Sequence, residues 1–192
     1  MRESILLAGG TEKSRAMLQS LAPPGRFEHA RVCSGGAETR RALAEGEWAI
    51  VVINTPLGDE SGLELAIELA HQSASGVLLL VKAELAENVA MRVRDDGVLV
   101  LPKPVARPLF DQALGFAMAV RNRLLSVHAE NARLEKKLAE LRVVSRAKCL
   151  LIEHLRLTEE QAHHHIEKLA MDTRQTSVAV AQEILNRFDQ SR

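Results

Sequence analysis

Three runs of almost unbroken Val, Ile and Leu constrain this 192-residue chain more than any other feature: WAIVVIN at 48–54, GVLLLVK at 76–82 and GVLVLPK at 97–103. A strand with one wet face alternates apolar and polar residues. A strand covered on both faces has no such need, and continuous aliphatic runs of this length mark parallel strands buried under helices. Two weaker runs precede them, ESILLA at 3–8 and RFEHARVC at 26–33. Between the runs lie segments 11–21, 36–44, 61–71 and 84–92, each of helix length and composition. Ser61, with Glu64 three residues on, is expected to open the third of these with a capping box. Five strands alternating with four helices predict a doubly wound α/β domain over residues 1–107.

From about Ala106 the grammar changes. Pro108 is the last proline and Gly115 the last glycine, so residues 109–155 read as one very long helix. Its middle carries a heptad. Ala117, Leu124, Asn131, Leu138 and Ser145 fall at a, and Ala113, Val120, Val127, Leu134 and Leu141 at d. Arg121, Arg123, Glu130, Arg133, Glu135, Lys136 and Lys137 fill the flanks. A single Asn among apolar a positions is a known device for fixing register and a two-stranded state. The segment 108–141 is therefore expected to be a coiled-coil dimerisation helix, with Val120, Leu124, Val127, Asn131, Leu134, Leu138 and Leu141 at the seam. The plainer alternative is an amphipathic helix packed on its own domain. Residues 142–192 then break into three helical pieces. The first runs to about Leu155, the second is opened by a Thr158/Gln161 capping box and runs to about Met171, and the third begins at Thr176-Ser177. Val178, Ala181, Ile184, Leu185 and Phe188 line the apolar face of the third. So small a unit has only a minimal core.

Charge is balanced, with 25 Lys plus Arg against 25 Asp plus Glu, so no global field announces a nucleic-acid partner. Cys33 and Cys149 are far apart and lack metal-ligand spacing, which suits free thiols in a reducing compartment. The apolar stretch before Gly9-Gly10 is short for a signal peptide, and no later segment reads as a membrane span. A soluble, cytoplasmic protein is expected. AGGTEKS at 8–14 has glycines before Lys13-Ser14, but Glu12 stands where a phosphate-binding loop requires glycine, so a plain β–α turn is predicted. His163, His164 and His165 are consecutive; helical neighbours point about 100° apart, so the three do not converge on one metal ion. His165 is expected to pack inward. No catalytic set is found and no cofactor is expected, so the chain does not read as an enzyme.

Positions at the strand ends give the first half a likeness to a known family. Lys103-Pro104 ends the fifth strand, PLGDESGLEL follows the third, and the third strand itself ends at Asn54. The half resembles a response-regulator receiver, which implies a five-stranded parallel sheet of order 2-1-3-4-5. Against that pattern the phosphorylation site is degenerate. Gly9-Gly10 replace the acidic pair that holds Mg²⁺, Asn54 replaces the phosphoacceptor Asp, and Val81 replaces a Ser or Thr; Lys103 alone is kept. Mg²⁺ wants carboxylate oxygens, and an amide does not form an acyl phosphate. The resemblance therefore implies a pseudo-receiver that does not signal through phosphate, and Asp59 and Glu60 are poorly placed as substitute acceptors.

The second likeness rests on RVVSRAKCLLIEHLRLTEEQAHHHIEKLAMDTRQTSVAVAQEIL at 142–185. Arg146-Ala147-Lys148, LTEEQA at 157–162, LAMD at 169–172 and VAVAQEIL at 178–185 come in the order and spacing of an ANTAR domain. Cys149, His165 and Gln175 depart from the usual glycine, apolar and basic residues of that pattern. The resemblance implies a three-helix RNA-binding unit over 142–192, with contacts from Arg142, Arg146, Ala147, Lys148, Arg174 and Gln175. Residues 142–192 hold eight basic against seven acidic residues, so any RNA contact is focal rather than general. The whole layout is similar to the antiterminators of amidase operons and nitrate assimilation. It implies a homodimer that binds tandem hairpins in a leader transcript and is held in check by a ligand-sensing protein. A protein-interaction scaffold without nucleic acid is the competing expectation. A DNA-binding regulator is weaker still, because no helix-turn-helix is evident.

Overall fold

The computed structural model describes residues 4–22 and 25–189. Residue 3 of the first run and residues 190–192 of the C-terminal unit lie outside that range. Contacts divide the chain into two compact units, before and after Ser126.

In the first unit the strands are β1 (Ser4–Gly9), β2 (His29–Cys33), β3 (Ile50–Asn54), β4 (Gly76–Lys82) and β5 (Val98–Lys103). They pair in parallel in the order β2-β1-β3-β4-β5. The intervening helices are α1 (Glu12–Leu21), α2 (Gly36–Glu45), α3 (Leu63–Gln72) and α4 (Ala83–Arg92). Alternate strand residues feed two separate cores. Ile5, Leu7, Val52, Leu78 and Leu80 face α1 on one side of the sheet. Leu6, Val51, Ile53, Val77 and Leu79 face Ala42 of α2 and Leu65, Ala66 and Leu69 of α3 on the other. That two-sided cover is the reason the central runs are continuous rather than alternating. β2, at the sheet edge, is exposed at its start and begins three residues later than its run suggests.

Helix entry follows local chemistry. Thr11 and Ser14 cap α1 reciprocally, so AGGTEKS is a β–α turn closed on itself. The Ser61/Glu64 box does not form. α3 starts after Gly62, whose φ of +87° suits glycine; Ser61 Oγ accepts from Leu63 N–H at 3.3 Å, but Glu64 pairs with Arg92 instead of returning to Ser61.

The long helix α5 spans Arg107–Leu155. Its first turns belong to the sheet: Phe110, Ala113, Leu114, Ala117 and Met118 are buried in the core shared with α1. The first two heptad positions, Ala113 and Ala117, are thus occupied by packing inside the domain. The later ones are bare. Val120, Leu124, Val127, Leu134, Leu138 and Leu141 are between 37% and 58% exposed, with Asn131 exposed among them.

In the second unit, the last turns of α5 pack with α6 (Glu159–Thr173) and α7 (Ser177–Asp189). Ala147, Leu151, Ala162, Ile166, Val180 and Ala181 form the centre. Thr158 and Gln161 make the expected capping box. His165, expected to face inward, is exposed, because the 3.6-residue period gives the inward face of α6 to Ala162, Ile166 and Ala170. Phe188 is half-buried and stacks on His154, ring centroids 4.8 Å apart.

Candidate functional site

At the carboxyl end of the sheet, strand register puts Gly9 beside Asn54 and Lys82 beside Lys103. Asn54 is 4% exposed, and Lys103 Nζ donates to its Oδ1 at 2.9 Å and also to the Thr55 carbonyl. Burial, and then the nearby charge of Lys82, hold Lys103 below the usual lysine range. Val81 is buried beneath the site. A Cβ placed on Gly10 meets Gly58 N at 2.5 Å and the Leu57 carbonyl carbon at 2.6 Å. The loop after β3 has closed onto the place where an acidic side chain would stand, and it does so on backbone atoms that cannot swing aside.

That loop is anchored from its far side. Asp59 accepts hydrogen bonds from the backbone N–H groups of Gly36 at 2.7 Å and Ala37 at 3.0 Å, at the first turn of α2. The two N–H groups, Ala37 foremost, hold its carboxyl below the usual range. Glu60 pairs with Arg40 at 2.7 Å, and Arg40 also reaches Glu68 at 2.9 Å. Both acids beside the degenerate site are therefore occupied in holding the loop. Sequence reading did not find this anchor. The one clue was Gly35-Gly36, a helix start with no side chain of its own to cap it.

In the second unit the expected contact residues separate by environment. Arg142 and Arg146, one turn apart on α5, are exposed, and no hydrogen bond or ion pair engages them among the described residues. Ala147 has no exposed surface and lies in the core, so it offers nothing to a ligand. Lys148 reaches across to α6 and pairs with Glu159, which Lys148 holds below the usual carboxylate range. Arg174 follows α6 in the left-handed region, φ 54°, and is exposed. Gln175 N donates to Ala170 O at 3.0 Å, closing the helix end, and its side-chain amide donates to Glu183 at 3.1 Å. Gln175 also lines an open cleft with His164, Lys168 and Ser177.

The match that decides the assignment falls on this unit: the ANTAR domain model covers residues 132–185. These residues are an ANTAR domain. The chain thus carries an ANTAR domain preceded in sequence by a domain of receiver-like fold. It is 28% identical over 137 residues to the transcriptional regulatory protein PdtaR of Mycobacterium tuberculosis, covering 71% of this chain and 66% of that one. Among solved structures, the signal receiver domain of an HD domain-containing protein from Pseudomonas fluorescens Pf-5 aligns with TM-score 0.56 at 21% identity, over 69% of this chain and 93% of that one. A Rhodopirellula baltica adenylate cyclase structure aligns with TM-score 0.60 at 17% identity, over 69% of this chain and 98% of that one. These two likenesses establish the receiver-like fold. Among the described residues no helix is long and apolar enough to cross a membrane.

Proposed function

We propose that this protein is an RNA-binding transcription antiterminator that acts as a dimer, is not switched by phosphate, and is controlled by a partner protein. The observation that carries the reading is that Arg142 and Arg146 stand exposed inside the ANTAR domain, unpaired among the described residues, on the helix that carries the bare seam. Two free guanidinium groups one turn apart suit the phosphates and splayed bases of a hairpin loop. The apolar residues from Val120 to Leu141 recur at a and d and are 37–58% exposed among the described residues. A second copy supplies that cover in a parallel coiled coil, with Asn131 setting its register. Two ANTAR domains joined in this way engage paired hairpins at once, which raises affinity without any new contact.

The receiver-like domain supports the rest. An acyl phosphate needs a carboxylate and Mg²⁺, whereas Asn54 is an amide, Gly9 and Gly10 bring no acid, and Asp59 is held at α2. Control then falls to a protein, and a sensor that sequesters the regulator until its ligand arrives is the form we favour.

An electrophoretic shift with a two-hairpin leader RNA tests the proposal. Binding is expected, with loss in Arg146→Ala and weakening in Lys148→Ala. A chain that ignores every stem-loop while still dimerising is a scaffold, and duplex DNA competing as well as hairpin RNA marks a DNA-binding regulator.

A further inference from the structure

The receiver-like unit holds a second, unexplained site at the opposite end of its sheet. Gly46–Trp48, just before β3, and Ser73–Ser75, just before β4, border a cavity of about 540 Å³, within the range of small-molecule sites. Arg121 of α5 forms part of its wall and is only 9% exposed. Its Nε is buried without a hydrogen-bond partner, and no carboxylate among the described residues pairs with it. The nearby acids are occupied or distant. Glu68 is held by Arg40, Asp96 by His71 at 2.6 Å, and Glu47 stands exposed at the rim. A buried N–H donor left without an acceptor is unfavourable, and this guanidinium faces the cavity with no counter-charge among the described residues, so a fold that keeps it there has a use for it.

We propose that this cavity binds a small organic carboxylate with an apolar body, the carboxylate pairing with Arg121. The walls select that chemistry. Ser73 and Ser75 donate their hydroxyls to the Leu69 and Trp48 carbonyls at 2.8 Å and 2.7 Å, so they present only acceptors to a ligand. Arg40 also lines the cavity, but its guanidinium is taken up by Glu60 and Glu68, so Arg121 is left as the charged donor, with the Gln72 amide as a further lining group. One planar fork matches a bidentate carboxylate better than a phosphate, which draws on several donors. Leu43, Leu69, Leu125 and the Trp48 ring provide apolar surface for the rest of the ligand. On the other side of Arg121, Val120 and Leu124 border a smaller cavity of about 70 Å³. A ligand at Arg121 therefore contacts the turns of α5 where the bare seam begins. This inference stands apart from the RNA reading and does not depend on it.

Trp48 is the only tryptophan and lines the cavity, its indole N–H fixed on Ala42 O at 2.9 Å, so its emission reports occupancy in the intact chain. The probes are acetate, butanoate, hexanoate, 1-hexanol and inorganic phosphate. Butanoate and hexanoate are expected to give saturable changes, with affinity rising up to about fourfold per added methylene. 1-Hexanol and phosphate are expected to give none. Arg121→Gln weakens hexanoate by about tenfold or more, as loss of a charge-assisted pair does. Arg121→Met melts higher than the wild type without ligand, because it removes the uncompensated charge, and no longer gains from hexanoate. Gly46→Leu, which narrows the cavity and keeps Arg121, also weakens hexanoate. The proposal is overturned by no saturable response to either longer carboxylate, by equal binding of 1-hexanol, by saturation with phosphate alone, or by hexanoate binding unchanged in Arg121→Gln.

Discussion

Lys103 and Asn54 share a 2.9 Å hydrogen bond from ammonium to amide oxygen at the carboxyl end of the sheet. The lysine has kept the position it would hold beside a phosphoacceptor, but its partner is a neutral amide, and burial draws its pKa down. Restoring the acid alone is not expected to restore the chemistry. Asn54→Asp incubated with acetyl phosphate and Mg²⁺ remains without a phosphoryl adduct by intact-mass measurement, because Gly9 and Gly10 supply no carboxylate to hold the metal. A stoichiometric adduct on the variant contradicts this, and one on the wild type contradicts the pseudo-receiver reading altogether.

Gly10 tests whether the site is closed by packing as well as by composition. Its added Cβ overlaps the backbone of Leu57 and Gly58. Gly10→Ala is expected to destabilise the chain by about 1–3 kcal/mol, the range for forcing extra volume into a packed place. Urea unfolding reads this as a lower midpoint with an unchanged slope. An unaltered midpoint means the loop moves aside freely.

The Asp59 anchor predicts a pH dependence. Its folded pKa lies below the ordinary 3.8, so its contribution is present above that value and is lost as pH falls through the lower, folded one. Asp59→Asn is expected to lower the melting temperature at neutral pH. Below the folded pKa it is expected to match the wild type, whose carboxyl is then protonated. A constant difference across the acid limb contradicts the assignment.

Most of the receiver-like fold is legible in the sequence because its signals are local or periodic. Continuous runs at 48–54, 76–82 and 97–103 require cover on both faces, and parallel pairing follows. The Thr158 capping box sits next to the helix it starts, whereas the one expected at Ser61 does not form. What escapes is contact at a distance in sequence. Nothing local ties Asp59 to the amides of Gly36 and Ala37, 23 and 22 residues away. The heptad over 113–145 reads as one seam, yet Ala113 and Ala117 are drawn into the sheet core, since small residues suit either setting. The burial of Arg121 was in reach: it lies one turn past Ala117, at the edge of the face α5 turns to the sheet.

Lys148 and Glu159 give a prediction of opposite sign to the usual charge deletion. The pair ties α5 to the first turn of α6 and occupies a cation that RNA would otherwise use. Glu159→Gln frees Lys148 and is expected to strengthen hairpin binding, steepening the salt dependence by about one phosphate contact. Lys148→Ala lowers affinity, and Glu159→Gln in that background has no further effect. Salt titrations of both variants decide it. Weaker RNA binding by Glu159→Gln assigns the pair a structural role only.

The central claim, that two ANTAR domains on one dimer grip paired hairpins, is tested most directly by comparing affinity for a two-hairpin RNA and for either hairpin alone, in the wild type and in Leu134→Glu/Leu138→Glu. Both leucines lie in the bare seam, about half exposed in the single chain. The account predicts a wild-type dimer that favours the tandem RNA by about 10²–10⁴, and a monomeric variant that binds tandem and single hairpins alike. A variant that stays dimeric, or a wild type with no preference for the tandem RNA, contradicts it.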